Sequence, residues 1–276
     1  MEILRYTAFT TEPAGGNPAG VVLDASGVDE ATMLAAAAEV GYSETAFVVP
    51  SVEGALDVRY FSPLAEVPFC GHATIATAVA YADRHGPGPL LLHTKAGPVP
   101  VTTARAEDGT IVATLTSVEP RTAPIPDVDL AELLAALRWS AEDLDPALPP
   151  RAAYAGAWHP VIAAGSRSRL ADLDYDMSAL SSLMRRKDWT TVDLVWRESP
   201  TVFHARNPFP PGGVVEDPAT GAAAAAFGGY LRELRLVPVP AALTIHQGVD
   251  MGRPSTISVS VREEPGIGVS GTAVRI

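Results

Sequence analysis

The sequence predicts an α+β fold of two similar β-rich lobes, each a mixed sheet around a central helix. Three observations lead there. The 276 residues hold 25 prolines and 23 glycines, too many for a helical bundle because each tends to end or kink a regular element. Short β-like runs alternate with turn-forming residues. Most tellingly, one series of segments occurs twice in the same order.

In the first series, Glu2 to Tyr6 reads as a strand, and Asn17-Pro18-Ala19-Gly20-Val21-Val22 leads into another. A helix is expected from Asp29 to Val40, then strands over Glu44 to Val49 and Asp57 to Phe61. The loop Pro68-Phe69-Cys70-Gly71-His72 precedes an alanine-rich helix containing Ala73-Thr74-Ile75-Ala76. Beyond it come Leu92 to Gly97, a strand over Val99 to Thr103, and a turn at Glu107-Asp108-Gly109.

The second series answers it. His159-Pro160-Val161 matches Asn17-Pro18-Ala19, and a helix is expected near Met177 to Met184. Strands follow over Thr191 to Trp196 and Pro200 to Ala205. The loop Glu216-Asp217-Pro218-Ala219-Thr220-Gly221-Ala222 again leads into an alanine-rich helix, then Ile245 to Gly248 and a turn at Glu264-Pro265-Gly266. Pro18 lies 55 positions before Ala73, and Pro160 lies 59 before Ala219. The spacing survives with a few residues of slack. Residues 120–151, rich in Pro, Asp and Ala, have no counterpart and read as a connector with one short helix near Leu130 to Trp139. The expected division is therefore an N-terminal lobe over 1–119, the connector, and a C-terminal lobe over 152–276. Two such lobes are expected to leave a cleft, the usual place for a small-molecule site.

Composition narrows the function. With 19% charged and 47% hydrophobic residues, the chain is too apolar for intrinsic disorder. A net charge of −12 repels a phosphate backbone, so nucleic acid is not an expected partner. The apolar stretches Ala73 to Ala82 and Ala222 to Leu231 fall short of a membrane span. Met1 to Arg5 lacks the order of a secretion signal and Cys70 is the single cysteine, so a cytoplasmic location without an internal disulfide is expected.

Candidate chemistry gathers in the matching loops. A helix N-terminus offers unpaired N–H groups and the positive end of the helix dipole, which suits a carboxylate or phosphate. Gly71 and Gly221 there would let a ligand approach the backbone, or they serve only the turns. Glu44 opens an otherwise apolar strand, where desolvation would raise its pKa as a general acid/base requires; an ordinary strand-start glutamate is the alternative. His72 and Asp217 can exchange protons with a substrate, or act as a core histidine and a helix cap. Cys70 is either a thiol activated by the helix start or a buried inert one. His85, His93, His159, His204 and His246 show no metal-ligand spacing, so no metal site is expected. Ala14 to Gly20 fits neither a Walker loop nor a dinucleotide fingerprint, so no nucleotide cofactor is expected.

Six segments together resemble the PhzF-like (phenazine biosynthesis) family, which shares the diaminopimelate-epimerase fold. They are Gly16 to Val22, Ser43-Glu44-Thr45-Ala46-Phe47, Arg59-Tyr60-Phe61-Ser62-Pro63, Cys70-Gly71-His72-Ala73-Thr74, Glu216 to Gly221 and Gln247 to Ser255. The resemblance spans essentially the whole chain. It implies two lobes, each a β-barrel-like sheet around a helix, and a homodimer. It also implies cofactor-free isomerisation of a small carboxylate-bearing substrate, the family's type reaction acting on trans-2,3-dihydro-3-hydroxyanthranilate. Glu44 matches the family's proton-carrying glutamate, and His72 and Asp217 match its assisting residues. Asn17, Cys70, Gly71, Gly221 and Ala222 fall among the substrate-lining positions. One departure is Ala222, where the phenazine enzymes carry a serine. An amino-acid epimerase or racemase using Cys70, and a small-acid-binding protein without catalysis, are the alternative functions.

Overall fold

The expected strands and helices occur in the structure, a computed structural model that describes residues 1–50 and 55–276, but several ends are shifted by a few residues, the opening strand running over Leu4–Ala8 and the helix of residues 120–151 over Asp127–Leu137. The chain divides into two units, Met1–Thr116 with Ser270–Ile276, and Ser117–Val269.

The first unit opens with β1 (Leu4–Ala8) and β2 (Asn17–Val22), followed by α1 (Glu30–Val40). Asp29 caps α1, its side chain accepting from Thr32 N, and Gly41 ends it at φ 73°. Then come β3 (Glu44–Pro50), β4 (Leu56–Phe61), the short β5 (Glu66–Val67) and α2 (Gly71–His85). A hairpin ladder of β6 (Pro89–Thr94), β7 (Gly97–Arg105) and β8 (Ile111–Thr116) completes the run. β2 and β3 are parallel, as are β4 and β6, and the other neighbours are antiparallel. The last strand of the chain, Gly268–Arg275, pairs with both β1 and β8 and so closes the sheet on itself. Closure leaves this sheet no open edge.

α2 lies inside that ring against β1, β2, β3, β7 and β8. Its sequence explains the position. From His72 to Ala80 every residue is buried, and small side chains such as Ala73, Ala76, Ala78 and Ala80 let strands approach from all sides. On the outer face, Met33, Ala36 and Ala37 of α1 pack on Val22, Phe47 and Phe61. Strands covered on both faces carry runs such as Thr45 to Val48, all buried, in place of strict alternation.

The second unit repeats this order. Residues 120–151 contribute β9 (Arg121–Pro124), α3 (Asp127–Leu137) and a 3-10 turn at Ala141–Asp143. After them run β10 (Arg151–Tyr154), β11 (Trp158–Ala163), α4 (Arg167–Ala171), α5 (Met177–Lys187), β12 (Asp193–Arg197) and β13 (Val202–Phe209). Next are β14 (Val214–Asp217), α6 (Gly221–Glu233), β15 (Ala241–Gln247) and β16 (Ser255–Val261), before β17, the Gly268–Arg275 strand. β11 and β12 are parallel, β12 and β13 antiparallel, β13 and β15 parallel, and β15 and β16 antiparallel. That is the pattern of β2, β3, β4, β6 and β7, so the duplication read in the sequence is a duplication of topology.

α6 takes the place of α2, packed on β9, β10, β11 and β16. It is buried from Ala223 to Leu231. Gly228 and Gly229 fit because a Cβ would lie 2.9 Å from side-chain atoms of Ile267 and Val259 at the first, and 2.3 Å from Pro120 at the second. On the outer side, Leu133 and Leu137 of α3 and Leu180, Leu183 and Met184 of α5 form a core with Ile162 and Leu194. Thus residues 120–151 supply both a strand, paired with β10, and a helix to the second unit. Among the described residues, no helix is long and apolar enough to cross a membrane.

Candidate active site

Glu44 is the first residue of β3, set in parallel register beside Ala19 of β2. The strand carries its carboxylate to the start of α2, where Cys70 is the N-cap and His72 the second residue. Glu44 Oε2 lies 3.4 Å from His72 Nε2 and accepts from Cys70 Sγ at 3.5 Å. Only 16% of the Glu44 side chain is exposed. Burial pushes its carboxyl above the ordinary value, and the hydrogen bonds from Ser43 and Cys70 offset part of that rise.

His72 is held from several sides. Its Nδ1 lies 3.1 Å from Asn17 Nδ2 and 3.3 Å from Cys70 Sγ, and its Nε2 lies 3.3 Å from Ser43 Oγ. With the Asn17 amide donating, Nδ1 is the acceptor and the neutral ring carries its proton on Nε2, facing Glu44 and Ser43. The sequence brings Asn17 there through Gly16, whose φ of 68° and a virtual Cβ 2.4 Å from Ala8 O exclude other residues.

The loop before α2 is braced at both ends. Arg59 makes two hydrogen bonds to Glu66, at 2.7 and 2.8 Å, and Lys95 adds another at 2.5 Å. Arg59, with Lys95, holds the Glu66 carboxyl down at about 2, against the effect of burial. On the inner side, Thr74 Oγ1 donates to Cys70 O at 2.7 Å and meets the fully buried Tyr60 hydroxyl at 2.7 Å.

In the second unit, Asp217 ends β14 and Gly221 starts α6. Thr220, the N-cap of α6, donates its hydroxyl to Asp217 Oδ2 at 2.6 Å. The aspartate therefore takes up the cap residue's side chain and is not itself the N-cap. Gln247 clasps the loop, accepting from Thr220 N at 3.0 Å and donating to Asp217 O at 2.7 Å. Ser255 Oγ donates to Pro218 O at 3.0 Å. Gly248 is required beside them, since at φ 73° a Cβ would lie 2.3 Å from Arg253 O and 2.7 Å from Pro218 O. Behind the loop, Glu216 and Arg206 form a buried bidentate ion pair, Arg206 Nε donating at 3.0 Å, and Arg206 Nη1 also binds Ala171 O at 2.7 Å.

The structure thus brings together Asn17, Glu44, Cys70, Gly71 and His72 in the first unit, and Asp217, Gly221 and Ala222 in the second. Ser43, Gln247 and the Arg206–Glu216 pair carry no role in the sequence reading. Ser43 and Gln247 stand in the quoted segments, but the contact that uses each is made far along the chain. Glu44, Cys70 and His72 bring their polar side-chain atoms within 4.8 Å of one another.

A family model described as phenazine biosynthesis-like protein (PhzC-PhzF) matches residues 6–276. The chain belongs to this family. Its similarity to the "uncharacterized isomerase YfhB" of Bacillus subtilis is 32% identity, covering 99% of this chain and 96% of that one. It is 33% identical to the trans-2,3-dihydro-3-hydroxyanthranilate isomerase of Pseudomonas aeruginosa, over 90% of this chain and 86% of the relative. Among solved structures, a Bacillus anthracis phenazine biosynthesis protein of the PhzF family superposes with a TM-score of 0.90 at 27% identity, covering 100% of this chain and 98% of that one.

The protein is thus a PhzF-family isomerase with the family's fold. Within the family frame, the two helix starts can be aligned. Cys70 and Thr220 are the N-caps, Gly71 and Gly221 the first residues, and His72 and Ala222 the second. The imidazole of one unit is replaced by a methyl group in the other.

Proposed function

We propose that this isomerase moves a proton between two carbons of a small carboxylate-bearing substrate, with Glu44 taking the proton and returning it. The observation that carries the reading is the Glu44 carboxyl, largely buried, raised by desolvation and 3.4 Å from His72 Nε2. A carboxylate in that setting is a stronger base than in water, and once protonated it can give the proton back as a general acid. In the first step a substrate C–H bond breaks, its proton passes to Glu44, and the electron pair delocalises into the substrate. In the second, Glu44 returns the proton to a different carbon. No electrons enter or leave, so no redox partner is required.

His72 donates its Nε2 proton in a hydrogen bond, steadying charge on Glu44 or on the substrate. The first-turn N–H groups at Gly71 in the first unit, and those at Gly221 in the second, are each of the kind that suits a carboxylate. Asp217 is assigned to substrate placement. The compound in the Pseudomonas relative's name, trans-2,3-dihydro-3-hydroxyanthranilate, is the first candidate substrate. Glu44→Gln should keep ligand binding and lose about 100-fold or more in turnover, the scale of general acid/base catalysis. An unchanged rate would remove Glu44 from the mechanism.

A second reading, epimerisation at an amino-acid Cα with Cys70 as one proton carrier, draws on the Cys70 thiol 3.5 Å from Glu44 and 3.3 Å from His72. The chain's single cysteine leaves Thr220 at the matching helix start, so a two-thiol form has no second thiol. Cys70→Ala would abolish solvent exchange at Cα under this reading and spare the isomerase.

A further inference from the structure

Gln247 ends β15 with its side chain buried, its backbone held in register between Ala205 of β13 and Ser255 of β16. Its amide makes three hydrogen bonds to the loop that carries Asp217. Oε1 accepts from Thr220 N at 3.0 Å, and Nε2 donates to Asp217 O at 2.7 Å and to Thr220 Oγ1 at 3.0 Å. These partners admit one orientation. Turned over, the amide would set Nε2 against the Thr220 N–H and Oε1 against the Asp217 carbonyl, donor against donor and acceptor against acceptor.

That orientation fixes the hydroxyl of Thr220. A hydroxyl has one proton to give, and a partner that only donates fills an acceptor position without receiving it. With Gln247 Nε2 donating to Oγ1, the Thr220 proton points elsewhere, and Asp217 Oδ2 receives it at 2.6 Å. That length is expected of a hydroxyl bound to an ionised carboxylate. A threonine at a helix start ordinarily uses its oxygen to accept from first-turn N–H groups, yet the Thr220 side chain makes no such bond to α6. Its hydroxyl serves Asp217 in place of the helix.

We propose that Gln247 is a positioning residue: by fixing the direction of the Thr220 hydroxyl, it holds Asp217 as an ionised acceptor in a single orientation. Both ends of the aspartate are tied to the same amide, the carbonyl directly and the carboxylate through Thr220. Without the Nε2 donor, the Thr220 hydroxyl can turn, to accept from a protonated Asp217 or from the first turn of α6, and the carboxylate is no longer fixed. The effect on turnover rests on the role of Asp217 in substrate placement proposed above; the direction of the hydrogen bond does not.

Proton NMR of the full chain should show the Thr220 hydroxyl as a resonance protected from solvent exchange, with a nuclear Overhauser contact to the Gln247 side-chain amide. Thr220→Val identifies the signal by removing it. Gln247→Met keeps the bulk, lacks the donor, and should abolish the protected resonance. Ser255→Ala is the control, since Ser255 Oγ braces the same loop at Pro218 O, and the resonance should persist there. In turnover of trans-2,3-dihydro-3-hydroxyanthranilate, Gln247→Met and Thr220→Val should each lose on the order of 100-fold in kcat/KM, the scale of a misplaced group. Thr220→Ser should retain most of the activity, and the Gln247→Met, Thr220→Val double variant should lose no more than the worse single, because the two residues act in series. A protected hydroxyl that survives Gln247→Met, or one lost equally in Ser255→Ala, would overturn the proposal, as would a double variant whose loss is the product of the two single losses. If the resonance behaves as expected while Asp217→Ala leaves turnover unchanged, the hydrogen-bond direction stands and the assigned role of Asp217 fails.

Discussion

Asp193 occupies in the second unit the register position that Glu44 occupies in the first. Glu44 pairs with Ala19, two residues after Asn17, and Asp193 pairs with Val161, two residues after His159. Both carboxyls begin a strand and both are raised by desolvation. Their surroundings differ. Asp193 is sealed in, accepting from Asn207 Nδ2 at 3.1 Å, and a chain of hydrogen bonds continues through Thr191 to His159 Nδ1. The duplication has kept the acid in both copies, exposed to chemistry in one and locked into the core in the other.

This buried chain makes a prediction about pH. Burial pushes Asp193 from 3.8 up to about 7, and His159 from 6.5 down to about 4. The stability tied to Asp193 is fully present below pH 3.8 and is lost as pH rises through about 7. That tied to His159 is present above pH 6.5 and is lost as pH falls through about 4. Across the overlap, the folded protein holds a neutral acid and a neutral imidazole, while the unfolded chain holds both charged. Proton counts are equal, so the pair contributes almost no slope. Asp193→Asn removes one side of the balance. Its unfolding free energy should then fall with decreasing pH by about 1.4 kcal/mol per unit more than the wild type, between roughly pH 6 and 4.5. Parallel curves from urea titrations would contradict the assignment.

A second prediction concerns His72. Donation from Asn17 Nδ2 to Nδ1 places the ring proton on Nε2. Nitrogen-15 spectra of the protein at neutral pH should show the Nε2–H tautomer, and Asn17→Ala should let the Nδ1–H form appear. A wild-type Nδ1–H signal would mean that Ser43 or Glu44 receives no proton from this ring.

The Arg206–Glu216 pair lies directly behind Asp217 and is buried on both sides. Arg206→Met alone strands a buried carboxylate and should cost about 3–5 kcal/mol in chemical unfolding. Adding Glu216→Leu should recover most of that loss. Equal destabilisation in the single and double variants would show that the Arg206 bond to Ala171 O, and not the ion pair, holds this loop.

The legible part of the molecule was the part written in local signals. Asp29 and Gly41 bracket α1, the two alanine-rich runs became the two buried helices, and the paired segments became paired topologies. Glu44 stood out as a charge opening an apolar strand. What stayed hidden were contacts made by closure of the sheet. Nothing near Gln247 in sequence says that it holds Thr220, and nothing near Arg206 announces Glu216. The Glu44–Cys70–His72 convergence was hidden for the same reason: it is assembled from a strand start and a helix start that lie far apart in sequence. The role of residues 120–151 depended on β9 pairing with β10, which no local pattern encodes.

The most direct test of the central claim is conversion of trans-2,3-dihydro-3-hydroxyanthranilate in D2O, followed by ultraviolet absorbance and by mass, with Glu44→Gln alongside. The account predicts conversion by the wild type, with deuterium carried into the product to the extent that the proton held on Glu44 exchanges with solvent before delivery, and loss of about 100-fold or more of that rate in Glu44→Gln. Conversion and deuterium uptake undiminished in the variant would contradict it.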